Sequence, residues 1–121
     1  MKVLVIEDNP SNMVVARTIL EHNGHLVLSS SDAEHGLKLA HSDHPDLILM
    51  DIQLPNMNGF DATRLLKSDP ETKAIPVVAL TAYAMSKDER SAFEAGCDGY
   101  LTKPYKIEGL LEVLRQHGPP E

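Results

Sequence analysis

The chain has 121 residues, enough for one folded unit that can bury about 65% of the surface its unfolded form exposes, and too few for a second. Eighteen acidic against eleven basic side chains give a formal charge of -7, which opposes unassisted attraction to nucleic acid or to an anionic membrane, and no basic stripe with interleaved aromatics relieves that objection. Cys97 is the only cysteine, so an internal disulfide and a cysteine-based metal cage are both excluded, and a role as a small buried hydrophobe is expected.

Met1-Lys2 leads directly into a strand-like run without a secretory leader pattern. No apolar run nears the ~20 residues needed to cross a bilayer. A cytoplasmic product with no membrane partner is therefore expected. Apolar and β-branched runs at about 2 to 7, 25 to 29, 46 to 50, 75 to 80 and 99 to 102 read as five strands, alternating with helical segments. Pro10 suits the first turn of a helix reaching about His22, with Val15, Ala16, Ile19 and Leu20 as its buried stripe and Gly24 as its stop. Asp32 reads as the N-cap of a second helix carrying Ala33, Leu37 and Ala40, which fails before Pro45. A third, from about Gly59 to Lys67, is expected to bury Ala62, Leu65 and Leu66 before Ser68-Asp-Pro70 closes it. The fourth, Ser86 to about Ala95, has only Ala92 and Phe93 as an apolar face. The fifth, Lys106 to about Gln116, carries Ile107, Leu110, Leu111 and Leu114. The expected domain is 1–117, with 118–121 a short tail.

Strands joined by helical crossovers imply an α/β fold: a doubly wound, five-stranded parallel sheet covered on both faces, three layers in all. The commoner flavodoxin-like order, 2-1-3-4-5, sets the first and third strands side by side where the winding reverses. Those two strands deliver Glu7, Asp8 and Asp51 to one rim. Three carboxylates so close need a cation, and Mg2+ suits such hard oxygen ligands. Asp51, placed by a strongly apolar strand and flanked by Pro55-Asn-Met-Asn-Gly59, is the candidate reacting group. Its oxygen could attack a phosphoryl group to form an acyl phosphate, with the Lys103 ammonium spreading the transferred charge and the Thr81 hydroxyl donating to a phosphoryl oxygen.

The combination of Glu7-Asp8-Asn9, Asp51 within Leu49-Met-Asp-Ile-Gln-Leu-Pro-Asn-Met-Asn-Gly59, Thr81-Ala82 and Lys103-Pro104 resembles the receiver domains of bacterial response regulators, the family of CheY, over essentially the whole chain. The segments Asp51-Ile-Gln-Leu-Pro55 and Leu80-Thr-Ala-Tyr-Ala-Met85 are most similar to DivK-like single-domain regulators and to receivers of hybrid kinases. The resemblance implies a phosphorylation-activated switch of a two-component system or phosphorelay. Asp51 would accept phosphate from phosphohistidine on a sensor histidine kinase or a histidine phosphotransfer protein. Glu7, Asp8, Asp51 and the backbone carbonyl of Gln53 would hold Mg2+, or Mn2+ in its place. Thr81 and Lys103 would contact the phosphoryl oxygens, Ala82 would leave room for Thr81 to shift, and Tyr100 would turn inward and remodel the 86–116 surface that controls a downstream protein. The Lys103-Pro104 peptide is cis in most relatives. Gln53 and Tyr83 occupy the two variable positions beside the pocket, and a bulky Tyr83 is expected to shield the phosphoryl group from water. Enzymatic activity would be confined to self-catalysed phosphorylation and dephosphorylation, with the protein monomeric or dimerising on phosphorylation.

Two alternatives compete. A small Mg-dependent phosphohydrolase with an aspartate nucleophile generally needs a second aspartate shortly after the first, and Gln53 stands there instead. A pseudo-receiver acting only as a docking module would not need the intact acidic pair, Asp51, Thr81 and Lys103. The histidines at 22, 25, 35, 41, 44 and 117 are expected at the surface or at helix ends, away from the rim.

Overall fold

Strands rich in apolar residues alternate with helices along the chain, and Asn9, Asp32 and Asn58 each satisfy a free N–H group of the helix that follows. The computed structural model describes residues 1–81, 86–103 and 105–119, except for the side chains of 86–89. In chain order the elements are β1 (Lys2–Ile6), α1 (Pro10–His22), β2 (Leu26–Ser30), α2 (Ala33–Asp43), β3 (Leu47–Asp51), α3 (Gly59–Ser68), β4 (Val77–Thr81), α4 (Ser86–Ala95), β5 (Gly99–Thr102) and α5 (Ile107–His117). The strands form one parallel sheet in the order β2-β1-β3-β4-β5, as the sequence implies.

Alternation along each strand feeds two cores. Leu4, Ile6, Ile48, Met50, Val77 and Ala79 face a layer containing Ala33 and Ala40 of α2, Ala62 and Leu66 of α3 and Ala92 of α4. Val3, Val5, Leu47, Leu49, Val78 and Leu80 face Ala16 and Leu20 of α1 and Leu110, Val113 and Leu114 of α5. Helices on both faces explain why β3 and β4 are buried at every position.

Four apolar side chains expected inside are outside. Val15 is 43% exposed, Leu65 50%, Phe93 49% and Ile107 55%. Val15, Leu65 and Phe93 each lie next to a buried position, and the helix turns about 100° per residue, so the neighbour carries the packing, whereas Ile107 is flanked by exposed Lys106 and Glu108 and α5 first buries a side chain at Leu110. In α3 that neighbour is Leu66, and Thr63 is buried as well, its hydroxyl donating to the Gly59 carbonyl at 2.7 Å and so entering the core satisfied. In α5 Val113 is buried, a position the periodicity did not single out. β4 starts two residues later than expected because the Ile75 N–H is spent on the Thr72 carbonyl in a turn and Pro76 has no N–H to give. Cys97 is buried, its thiol donating to Thr63 Oγ1 at 3.7 Å, and burial pushes its pKa up.

Capping chemistry sets the starts of α1, α2 and α3, while α5 begins after Lys106 with no side-chain cap. Asn9, Asp32 and Asn58 each accept a backbone N–H of the first turn, at 3.1, 2.8 and 2.9 Å. At its other end α2 stops at His44, held at φ 45 immediately before Pro45. His41, in the last turn of α2, lies 3.1 Å from Asp69 and 3.2 Å from Glu71, clasping α2 to the connection after α3. At the edge of the sheet where the strands begin, Gly118 lies against Met1, so close that an added Cβ would come within 2.9 Å of the Met1 sulfur.

Candidate functional site

The parallel order brings the carboxyl ends of β1, β3, β4 and β5 to one rim. Register fixes their levels: Ile6 pairs with Met50, Asp51 with Leu80 and Thr81 with Thr102. The last residue of β3 is Asp51 itself, one step later than the apolar run suggests, and its side chain is buried. Pairing persists beyond the strand ends, since the Glu7 N–H donates to the Ser30 carbonyl at 2.9 Å, Ile52 to Leu80 at 3.1 Å and Lys103 to Thr81 at 2.6 Å.

Gly59 makes the approach of α3 to this rim possible. A Cβ there would run into the Asp51 carbonyl oxygen and come within 2.8 Å of the Ile52 Cα, so only glycine lets α3 begin this close. The Gly59 N–H donates to the Ile52 carbonyl at 3.2 Å, closing the 52–58 connection beside Asp51.

Lys103 Nζ sits between two buried carboxylates, 2.7 Å from Glu7 Oε1 and 3.0 Å from Asp51 Oδ2. The other oxygen of Asp51, Oδ1, accepts the Gln53 N–H at 2.9 Å. Carboxylate oxygens of Glu7, Asp8 and Asp51 lie within 4.8 Å of one another, with Asp8 on the exposed side. Thr81 is buried at the end of β4, and Tyr100 of β5 is half-buried against the core that contains α2, α3 and α4. Ala82, Tyr83 and Pro104 lie outside the described residues.

Charge is frustrated here. Burial pushes the Asp51 carboxyl up, and the adjoining Glu7 carboxylate adds to that, taking it to about 7 despite the Gln53 N–H and the Lys103 ammonium. Burial acts on Glu7 in the same direction, but the adjoining Asp51, Lys103 and Tyr105 groups outweigh it and hold the carboxyl below its ordinary value. Burial opposes the Lys103 charge too, yet the two carboxylates overcome it and raise the lysine. Glu7 Oε2 is buried with no hydrogen-bond partner among the described residues. An orphaned carboxylate oxygen beside two further carboxylates is a donor set for a hard divalent cation, so the residues fit Mg2+.

Two contributors were not legible beforehand. Tyr105 donates its hydroxyl to Glu7 Oε1 at 3.2 Å, and burial together with the Glu7 charge pushes its own pKa up. Its only signal was its place two residues beyond Lys103 on the connection leaving the same rim. His35, expected away from the rim, lines a cleft of about 380 Å³ together with Glu7, Asp8 and Ser29 to Ser31. The correction follows from strand order: α2 leaves β2, β2 borders β1, and the first turn of α2 therefore opens beside the acidic pair.

Comparison with known proteins agrees with this arrangement. The family model for the response regulator receiver domain matches residues 3–115. The chain is 40% identical over 115 residues to the polar-differentiation response regulator DivK of Brucella ovis, covering 95% of this chain and 94% of that protein. Among solved structures it resembles the receiver domain of sensor histidine kinase PA1611 from Pseudomonas aeruginosa, which carries a magnesium ion in its active-site cleft, at TM-score 0.89 and 34% identity, covering 96% of this chain and 95% of that one. It also resembles the chemotaxis response regulator CheY4 of Vibrio cholerae, at TM-score 0.90 and 27% identity, covering 95% and 96%. With the strand order, the acidic rim and these matches in agreement, the chain belongs to the response regulator receiver domain family.

Proposed function

We propose that this receiver is switched by phosphorylation of Asp51. The observation that supports it best is the placement of Lys103 between Glu7 and Asp51, 2.7 and 3.0 Å away, with Asp8 alongside. That arrangement leaves the Lys103 ammonium facing excess negative charge, which suits a site built to receive a further cation and a phosphoryl group. An Asp51 carboxylate oxygen attacks phosphorus of a phosphohistidine on a sensor histidine kinase or histidine phosphotransfer protein. As the new O–P bond forms the N–P bond breaks, and its electron pair returns to the donor imidazole. Mg2+, held by Glu7, Asp8, Asp51 and the carbonyl of Gln53, supplies charge neutralisation when bound, and Mn2+ would substitute for it.

Lys103 moves from Glu7 to the phosphoryl oxygens, and Thr81 donates its hydroxyl to another. Ala82 leaves the space Thr81 needs, and Tyr100 follows it inward, biasing the protein between two arrangements of its 86–116 surface. That surface binds a downstream protein. The chemistry on both sides of the switch is self-catalysed, with Gln53 and Tyr83 setting how quickly water reaches the acyl phosphate. Residues 1–117 form the switch and 118–121 a short tail, acting in the cytoplasm as a monomer or as a phosphorylation-dependent homodimer. A small-molecule phosphodonor with Mg2+ is expected to label the wild-type protein and leave Asp51→Asn unlabelled. Equal labelling of the two would exclude Asp51 as the acceptor.

A further inference from the structure

The buried Glu7 carboxylate has two donors on one oxygen and none among the described residues on the other. Lys103 Nζ and the Tyr105 hydroxyl both reach Oε1, at 2.7 and 3.2 Å, while Oε2 is left over. The two donors are not equivalent. Lys103 is shared with Asp51 at 3.0 Å, and a phosphoryl group on Asp51 would compete for it. Tyr105 is neutral, and its ring is packed against the core formed with α1 and α5. Its hydroxyl is thus fixed by packing, whereas the lysine ammonium is held by its ion pairs with the two carboxylates.

We propose that Tyr105 is a positioning residue of the phosphorylation site: it holds Glu7 by Oε1 so that Oε2 stays turned to the cation when Lys103 leaves for the phosphoryl group. The proposal rests on the phosphorylation reading above and adds a residue to it. Glu7 is 1% exposed, and leaving Oε1 of a buried carboxylate without any donor once Lys103 has gone is costly. Tyr105 removes that cost from the activated state. It also weakens the hold of Glu7 on Lys103, because a carboxylate oxygen already hydrogen-bonded competes less strongly for the ammonium.

The test compares wild type, Tyr105→Phe and Tyr105→Leu by amide NMR titration, first with Mg2+ alone and then with beryllofluoride in the presence of Mg2+, alongside thermal unfolding. Phenylalanine keeps the packing and removes only the hydroxyl. The expected result is a Mg2+ Kd raised several-fold and beryllofluoride affinity lowered about 10-fold in Tyr105→Phe, the scale of a buried hydrogen bond to a charged group. Tyr105→Leu should match those affinities while losing further stability, which separates positioning from packing. In the wild type, exchange of the Tyr105 hydroxyl proton should stay protected after beryllofluoride is added. Affinities of Tyr105→Phe within twofold of wild type would overturn the proposal, whatever happens to its melting temperature, and so would loss of hydroxyl protection on activation. Failure of the wild type itself to bind beryllofluoride with Mg2+ would instead sink the phosphorylation reading and this proposal with it.

Discussion

The residue whose environment matters most is Asp51, a carboxylate withdrawn from water beside a second carboxylate. Its pKa is raised to about 7 from an ordinary 3.8. A carboxyl raised in the folded state stabilises the fold through its bound proton: the contribution is complete below the unfolded pKa and is lost as pH rises through the folded one. The metal-free protein therefore loses stability through this group between about pH 4 and pH 7. Glu7, whose carboxyl is lowered from 4.5, acts in the opposite sense, and its contribution is lost only as pH falls below that value. Mg2+ competes with the proton on Asp51, so the gain in melting temperature on adding Mg2+ should be larger at pH 8 than at pH 5.5; an equal gain at both would rule out Asp51 as a ligand. Replacing the buried charge with an amide should help the metal-free fold. Asp51→Asn is expected to be about 1 to 2 kcal/mol more stable than wild type at pH 8 without Mg2+, and to lose most of the response to the ion, as read by thermal unfolding. Asp51, Asp8, Glu7, Thr81 and Lys103 were all legible as candidates because chemistry-bearing side chains directly after apolar runs stand out. The hydroxyl of Tyr105 was not, since nothing in a sequence shows that an aromatic ring will turn its polar end toward a carboxylate encoded 98 residues earlier.

At the scale of elements, α3 is coupled directly to the site, because its first residue abuts the backbone of Asp51 and Ile52. Gly59→Ala should push α3 away from the end of β3, costing about 1 to 3 kcal/mol by chemical denaturation and slowing phosphorylation as well. Normal stability and labelling in that variant would mean that the contact yields without consequence. Helix and strand spans were legible to within a residue or two wherever a cap, a glycine or a proline punctuated them. Helix faces were less so. Periodicity alone does not choose between Leu65 and Thr63 for the interior of α3, and the structure takes the threonine because its hydroxyl finds the Gly59 carbonyl one turn back. The position of His35 depended on a tertiary fact, the adjacency of β2 to β1, and not on anything local to α2.

Across the whole molecule, the order of the strands was readable because continuous apolar runs demand cover on both faces, and five such runs with helical crossovers leave few windings open. The described part of the 86–116 surface exposes two large apolar side chains that the fold does not use, Phe93 and Ile107. Phe93→Ala should change stability by no more than about 0.5 kcal/mol and leave labelling of Asp51 intact, yet weaken capture of a downstream protein by the beryllofluoride-activated form. Undiminished capture would move the docking surface elsewhere. Gly118 meets Met1 at the sheet edge remote from the cleft, so the first and last described stretches of the chain adjoin each other behind the switch. A short flexible bridge can therefore splice them and new ends be opened elsewhere on the surface. A tag, an anchor or a second module grafted at either point would ride at the back of the domain and leave the mouth of the acidic cleft open to a visiting kinase.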